Sequence, residues 1–223
     1  MPVFREYEKK CLVEDPSYPK VREIFKKNAY PIVTAEVDEK GLNLTKVDRS
    51  SEIEMIYTTP SHQFPLGMIM PISRRRELLS FTEAHNSFIL EDDYDSELRY
   101  YQRPIPALKS IDYLGRVIYL GTFSKILSPS FRMGYMVLPE QFTESFLEKF
   151  KIYNSTVNLL NQIALANILS SGDYDRLVRK MNHVFKKCYE AFKKEFEQFN
   201  APIKLSSNVS GQYFLVTFPD KIN

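Results

Sequence analysis

Arg116-Val117-Ile118-Tyr119-Leu120-Gly121-Thr122-Phe123-Ser124-Lys125 decides how this chain is read. Its first half is a short apolar run of β-branched and aromatic residues, the composition of a strand buried on both faces. The run then gives way to small and polar residues and ends in a lysine, with Arg132 following before the next apolar stretch. Working outward, Phe88-Ile89-Leu90 is a second such run and ends in Glu91-Asp92-Asp93-Tyr94. Lys10-Cys11-Leu12-Val13 stops at Glu14-Asp15-Pro16, and further strands are predicted over 30–37, 53–58 and 132–138. Helical patterns occupy 19–28 and 73–86. This β-α-β alternation predicts an α/β fold, a mostly parallel sheet of about six strands with helices on both faces. Ligands of such sheets collect beyond the carboxyl ends of the strands. Tyr18, Phe64, Asp92 and Lys125 all fall there.

The segments divide as 1–139 for the core of a large domain, 140–200 for a helical connection, and 201–223 for the start of a smaller α+β unit. Pro139 and Pro202 bracket the helical part, and Ser170-Ser171-Gly172-Asp173 interrupts it. The last part contains a strand-like run, Gln212 to Phe218.

Composition narrows the function. A hydrophobic fraction of 43% is enough for a core, and a net charge of +2 implies no polyanionic partner. Arg74-Arg75-Arg76 follows Ser73, a good helix N-cap, and reads as a solvated helix face rather than a nucleic-acid patch. Cys11 and Cys188 lie in no metal-ligand spacing, so no metal is expected. With no apolar signal segment at the N-terminus, they read as reduced thiols in cytoplasm. No apolar stretch approaches the roughly 18 residues of a membrane span.

A lysine and an acid, each at the end of a buried strand, suit pyridoxal phosphate. The amine forms a Schiff base with the cofactor aldehyde, and the acid keeps a proton on the ring nitrogen. Four phrases in order make the likeness specific: Thr58-Thr59-Pro60-Ser61-His62-Gln63-Phe64-Pro65, Glu91 to Tyr100, Arg103-Pro104-Ile105-Pro106, and Arg116 to Lys125. From about residue 11 to about residue 139 the chain resembles the pyridoxal-phosphate-dependent aminotransferase superfamily of fold type I. It is nearest to the aminotransferase-like domain of the MocR branch of GntR-type regulators.

The resemblance assigns roles residue by residue. Lys125 is the Schiff-base lysine, against the alternative of a surface loop lysine. Asp92 pairs with the pyridine nitrogen, with Asp93 or a plain Asx-turn as alternatives. Tyr94 donates to the phenolic oxygen of the cofactor, or is a packed turn tyrosine. Thr122, Ser124 and Arg132 hold the phosphate, a set of hydroxyls and a guanidinium that suits a dianion; turn capping is the alternative for the two hydroxyls. Tyr18 stacks on the cofactor ring or sits in the core. Lys20 lies near a substrate-carboxylate position of some relatives, but a solvated helix start is preferred. His85 and His183 read as structural.

The sequence departs from the family where an Asn-Pro-x-Gly phrase is usual and Phe64-Pro65-Leu66-Gly67 stands. Either His62 or Gln63 substitutes for the asparagine, or Tyr94 acts alone. The glycine-rich phosphate loop is expected before the first strand, where only Met1 to Lys9 lie. The substrate-clamping arginine is expected beyond residue 223, and the regulators' winged helix upstream. The chain is thus read as a fragment, expected to bind the cofactor weakly or not at all and to show no transaminase turnover, with the strand at 132–138 left as an edge. The implied function is a pyridoxal-phosphate-binding aminotransferase-like domain acting on an amino acid or amine through Lys125. The alternatives are the effector-sensing domain of a MocR/GntR-type regulator without its DNA-binding domain, and a truncated, inactive product that keeps the motifs and neither function. A homodimer is implied for full-length relatives, and no contact of this chain with nucleic acid or membrane.

Overall fold

Cys11, Leu12 and Val13 are all fully buried, although successive residues of a strand point to opposite faces. The computed structural model, which describes residues 9–48, 50–101, 103–153, 155, 157–198, 203–205 and 210–219, gives the reason. Leu12 packs with Ile56, Ile89, Val117, Leu78 and Phe81 on one face. Cys11 and Val13 pack with Met55, Leu90, Ile118 and Phe25 on the other. Both faces of the sheet carry a core, so its central strands keep apolar residues on both faces, as Cys11 to Val13 and Val117 to Leu120 do. Each fully buried aliphatic side chain contributes on the order of 1.5–3 kcal/mol.

The sheet contains β1 (Lys10–Asp15), β2 (Ile32–Asp38), β3 (Gly41–Leu42), β4 (Ile53–Thr58), β5 (Phe88–Asp93), β6 (Val117–Thr122) and β7 (Gly134–Val137). Their order is β3-β2-β1-β4-β5-β6-β7. The ladders from β2 through β1, β4 and β5 to β6 are parallel, and the outer pairs β2–β3 and β6–β7 are antiparallel. The expected mostly parallel sheet is present. α1 (Pro19–Lys27) covers one face through Phe25 and α2 (Ile72–His85) the other through Leu78 and Phe81. α3 (Glu140–Phe150) sets Phe142 against Phe88, ring centroids 4.8 Å apart.

Several boundaries differ from the sequence reading. β1 runs through Glu14 to Asp15, because the parallel ladder to β2 continues to Asp15↔Glu36. β5 likewise includes Asp92 and Asp93, paired with Leu120 and Gly121. Arg132 adopts a left-handed backbone (φ 49°), so β7 begins only at Gly134. β3, two residues long, begins at Gly41, so Asp38-Glu39-Lys40-Gly41 closes a β2–β3 hairpin. α2 is preceded by Pro71, not capped by Ser73.

The arginine run is not a solvated face. Arg75 is fully buried and donates from Nε to Met70 O (3.0 Å), from Nη1 to Pro106 O (3.0 Å) and from Nη2 to Pro60 O (2.9 Å). Its guanidinium also lies 3.6 Å from Glu91. Arg74 donates to Leu42 O and to Asp38. A planar fork with five N–H donors can be buried when carbonyls surround it, which a helical-face reading of the sequence does not capture. Arg76 alone of the three is exposed.

The chain divides into two compact units, one holding the sheet and the other formed by Asp95–Pro104, Phe123–Met133 and Ser155–Asn223. In the second, α4 (Leu159–Ser170) is capped by Asn158, whose side chain accepts from Leu160 N and Asn161 N. α5 (Asp173–Gln198) carries Asp173 and Asp175 in its first turn, where the helix dipole favours acids. Its Asn182 accepts from Arg99 N (2.7 Å) and donates to Glu97 O (2.7 Å), holding the segment that contains the buried Leu98. The predicted strand over 212–218 reduces to β9 (Val216–Thr217), paired with β8 (Lys204–Leu205). Gly211, at φ 82°, turns the chain just before it. Among the described residues no helix is long and apolar enough to cross a membrane.

Candidate functional site

Parallel strands β1, β4, β5 and β6 deliver their carboxyl ends to one edge of the sheet, and the polar groups of the first unit gather there. Asp92 points from β5 toward the face that carries Tyr57. The Tyr57 hydroxyl donates to Asp92 Oδ2 at 2.5 Å. Burial, then the Asp92 charge, raises the Tyr57 hydroxyl pKa and keeps it a donor. Asp93 points to the opposite face, where the Tyr119 hydroxyl donates to its Oδ2 at 2.8 Å. The two adjacent acids therefore have separate environments.

Four rings line the loops that follow β1, β4 and β5. Tyr18, 41% exposed, meets Phe64 edge-on with centroids 5.5 Å apart. Phe64 lies 6.5 Å from Tyr94, and the His62 ring stacks on Tyr94 at 6.0 Å. The Tyr94 hydroxyl donates to His62 O at 2.9 Å, with Nδ1 of the same histidine 3.3 Å away.

Beneath these rings sits Glu14, which sequence reasoning treated as the end of a strand. It is 1% exposed. It accepts from Thr58 Oγ1 (2.5 Å), Thr59 Oγ1 (2.9 Å), Thr59 N (3.3 Å) and Gln63 Nε2 (3.1 Å). Burial pushes its carboxyl above the ordinary range, against these hydrogen bonds. Glu14 ties the β4 loop to the β1 loop and so fixes Phe64 relative to Tyr18. Gln63 is spent on the same junction: its amide also donates to Pro16 O and Phe64 O, and its oxygen accepts from Leu66 N. Glu91, buried one residue before Asp92, accepts from Leu108 N and Lys109 N and stands beside Arg75.

Of the residues named from the sequence, Tyr18, Asp92, Tyr94 and Thr122 lie together at this edge, with Thr122 closing β6. Ser124, Lys125 and Arg132 occupy one loop of the second unit, between Phe123 and Met133. That loop is closed at its base by Phe123 N donating to Met133 O (3.1 Å). Ser128 caps its short 3₁₀ turn, and Gln212 Nε2 donates to Lys125 O at 3.3 Å. Lys20 is exposed at the start of α1. His85 stacks on Phe81 at 4.0 Å and lies within α2. Nothing in their local sequence marks Tyr57 or Glu14 as site residues. The only signal available was a polar or phenolic group inside an otherwise apolar strand.

Comparison with known proteins follows the same pattern. The family model described as aminotransferase class I and II matches residues 3–221. The chain belongs to that family. This class I and II aminotransferase-family chain is 42% identical over 174 residues to the HTH-type transcriptional regulator YdeL of Bacillus subtilis, covering 78% of this chain and 37% of the regulator. It is 37% identical over 182 residues to the probable rhizopine catabolism regulatory protein MocR of Rhizobium meliloti, covering 82% of this chain and 37% of that protein. Among solved structures, the kynurenine aminotransferase of Pyrococcus horikoshii, in complex with PMP, superposes with a TM-score of 0.89. There the identity is 27%, covering 99% of this chain and 57% of that one. The chain thus spans little more than a third of the two regulators.

Proposed function

We propose that this chain is a pyridoxal-phosphate-binding aminotransferase-like domain that acts on an amino acid or amine through Lys125. The observation that carries the reading is Asp92, a carboxylate at a strand end backed by a buried tyrosine hydroxyl at 2.5 Å. The donor set fits the cofactor: a carboxylate for a protonated ring nitrogen, a phenol for the phenolic oxygen, and hydroxyls with a guanidinium for the phosphate. When bound, the cofactor would supply an aldehyde that condenses with an amine and a ring that withdraws electrons from the carbon bearing that amine. Asp92 holds the proton on the ring nitrogen, and Tyr57 steadies Asp92. Tyr94 donates to the phenolic oxygen, with Tyr18 offering an aromatic face. Thr122, Ser124 and Arg132 hold the phosphate. Lys125 Nζ would be the amine that holds the cofactor, and the same amine would serve as the base at the substrate α-carbon.

A second reading shares this chemistry and differs in output. The two regulators described above favour a domain that senses an amine and reports to a DNA-binding domain, and the replacement of the family's asparagine by Phe64 favours it too. In either reading we take this chain to be cytoplasmic and its full-length relatives to be homodimers. We take residues 1–139 as the core of the cofactor domain, 140–200 as the helical connection and 201–223 as the start of the small domain.

Borohydride reduction of the chain mixed with pyridoxal phosphate, followed by peptide mapping, tests the reading. The adduct is expected on Lys125, and an adduct confined to other lysines refutes it. In a longer relative with the same phrases, repeated keto-acid release with no DNA-linked response separates the enzyme from the sensor.

A further inference from the structure

We propose that His62 is the positioning residue that takes over the role of the family's missing asparagine, acting through Tyr94 rather than on the ligand. This rests on the cofactor reading given above. The sequence leaves His62, Gln63 or Tyr94 alone for that role, with Phe64 standing at the asparagine's own position, and the geometry separates them. Gln63 is committed to Glu14, Pro16, Phe64 and Leu66 by both ends of its amide. Phe64 has no hydrogen-bonding side chain and contributes ring edges to Tyr18 and Tyr94. His62 is 2% exposed, and its ring lies nearly parallel to that of Tyr94, with an interplanar angle of 26°.

Proton accounting then fixes how the pair works. A phenol has one hydrogen. Two oxygens 2.9 Å apart, Tyr94 Oη and His62 O, need a hydrogen between them, and the carbonyl has none to give. The Tyr94 hydrogen therefore lies on the carbonyl, and its lone pairs face the imidazole. Nδ1, at 3.3 Å, is compatible with those lone pairs only as an N–H donor. His62 is thus assigned the Nδ1–H tautomer. It holds the Tyr94 oxygen from the ring side and receives the Tyr94 hydrogen on its backbone. When a phenolic oxygen of a ligand competes for that hydrogen, the Nδ1–H bond to Oη stays in place and makes the hydroxyl a better donor. One residue thereby restrains the tyrosine and tunes it, where the family uses a second side chain directly.

The chain contains three histidines, so ring-¹⁵N-labelled histidine gives a spectrum that single substitutions assign. The Nδ1–H tautomer is expected for neutral His62, and Tyr94→Phe should move the His62 signals while leaving those of His85 and His183 in place. A dominant Nε2–H tautomer, or His62 signals indifferent to Tyr94→Phe, overturns the proposal. The second arm is a titration with pyridoxal phosphate followed by absorbance. His62→Ala should weaken binding roughly fivefold, the scale of one net hydrogen bond. His62→Asn, which places an amide N–H near the Nδ1 position, should stay within about twofold of the parent. In a Tyr94→Phe background His62→Ala should cost nothing further. An undiminished loss in that background, or no rescue by asparagine, overturns the assignment. If His62→Ala does not fold, the tautomer and the asparagine variant decide. Absence of binding by the unsubstituted chain would count against the cofactor reading itself, with the His62–Tyr94 relation still judged by its tautomer.

Discussion

Tyr57 on β4 and Asp92 on β5 are joined by a hydrogen bond of 2.5 Å, hydroxyl to carboxylate, on one face of the sheet. The neighbouring acid, Asp93, is bound on the other face by Tyr119. Two consecutive carboxylates are thus told apart by the pleat alone, because successive side chains of a strand alternate.

The two acids should therefore separate in experiment. Asp92→Ala is expected to weaken pyridoxal phosphate binding on the order of tenfold or more, as loss of a charge-assisted bond does. Asp93→Ala should leave binding nearly unchanged and lower stability by about 1 kcal/mol, since Tyr119 loses its acceptor. Cofactor titration and urea unfolding of both variants measure this, and a reversed order for binding refutes the role of Asp92.

Arg75 and Glu91 form a fully buried pair, and both also hydrogen-bond backbone groups, Arg75 to Pro60 O and Glu91 to Leu108 N. Removing the cation leaves a carboxylate buried without it. Arg75→Met should cost about 3–5 kcal/mol in urea unfolding at neutral pH. Arg76→Ala, on the exposed side of the same helix, should stay within about 0.5 kcal/mol. Equal effects would mean that the burial of Arg75 has no energetic consequence.

Glu14 gives a pH dependence of defined sign. Burial raises its folded pKa above the ordinary 4.5. The contribution to stability is then fully present below that value and is lost as pH rises through the folded pKa. Relative to Glu14→Gln, which cannot ionise, the parent should lose stability with rising pH, by at most about 1.4 kcal/mol per pH unit within the window. Thermal unfolding of both proteins from acid to neutral pH reads this directly. Parallel curves would exclude titration of Glu14 as a contributor.

Gly121 on β6 lies against Tyr135 on β7. A Cβ there would come within 2.4 Å of the Tyr135 ring. Gly121→Ala should destabilise the edge of the sheet by roughly 1–3 kcal/mol, the usual cost of overpacking. Most of that loss should vanish in a Tyr135→Ala background. Were the loss to persist there unchanged, the ring contact would not be its cause.

Much of this protein was legible in its sequence. Runs such as Lys10 to Val13 and Val117 to Leu120 are apolar without alternation, which only strands covered on both faces require, so the α/β class and most strand positions followed from local composition. The ordered phrases around Asp92 and Lys125 point to the family through their residue types and spacing, and the family model matches residues 3–221. What stayed hidden depends on partners distant in sequence. Glu14 looked like a strand terminator until Thr58, Thr59 and Gln63 were seen to surround it. Arg75 looked solvated until three carbonyls enclosed its guanidinium. The choice among His62, Gln63 and Tyr94 alone needs the stacking of His62 on Tyr94 and the engagement of Gln63 by Glu14. A strand or helix announces itself through neighbours a few residues away, whereas the burial of a charge is decided by whether groups tens of residues off supply its hydrogen bonds, and only the tertiary structure brings those together.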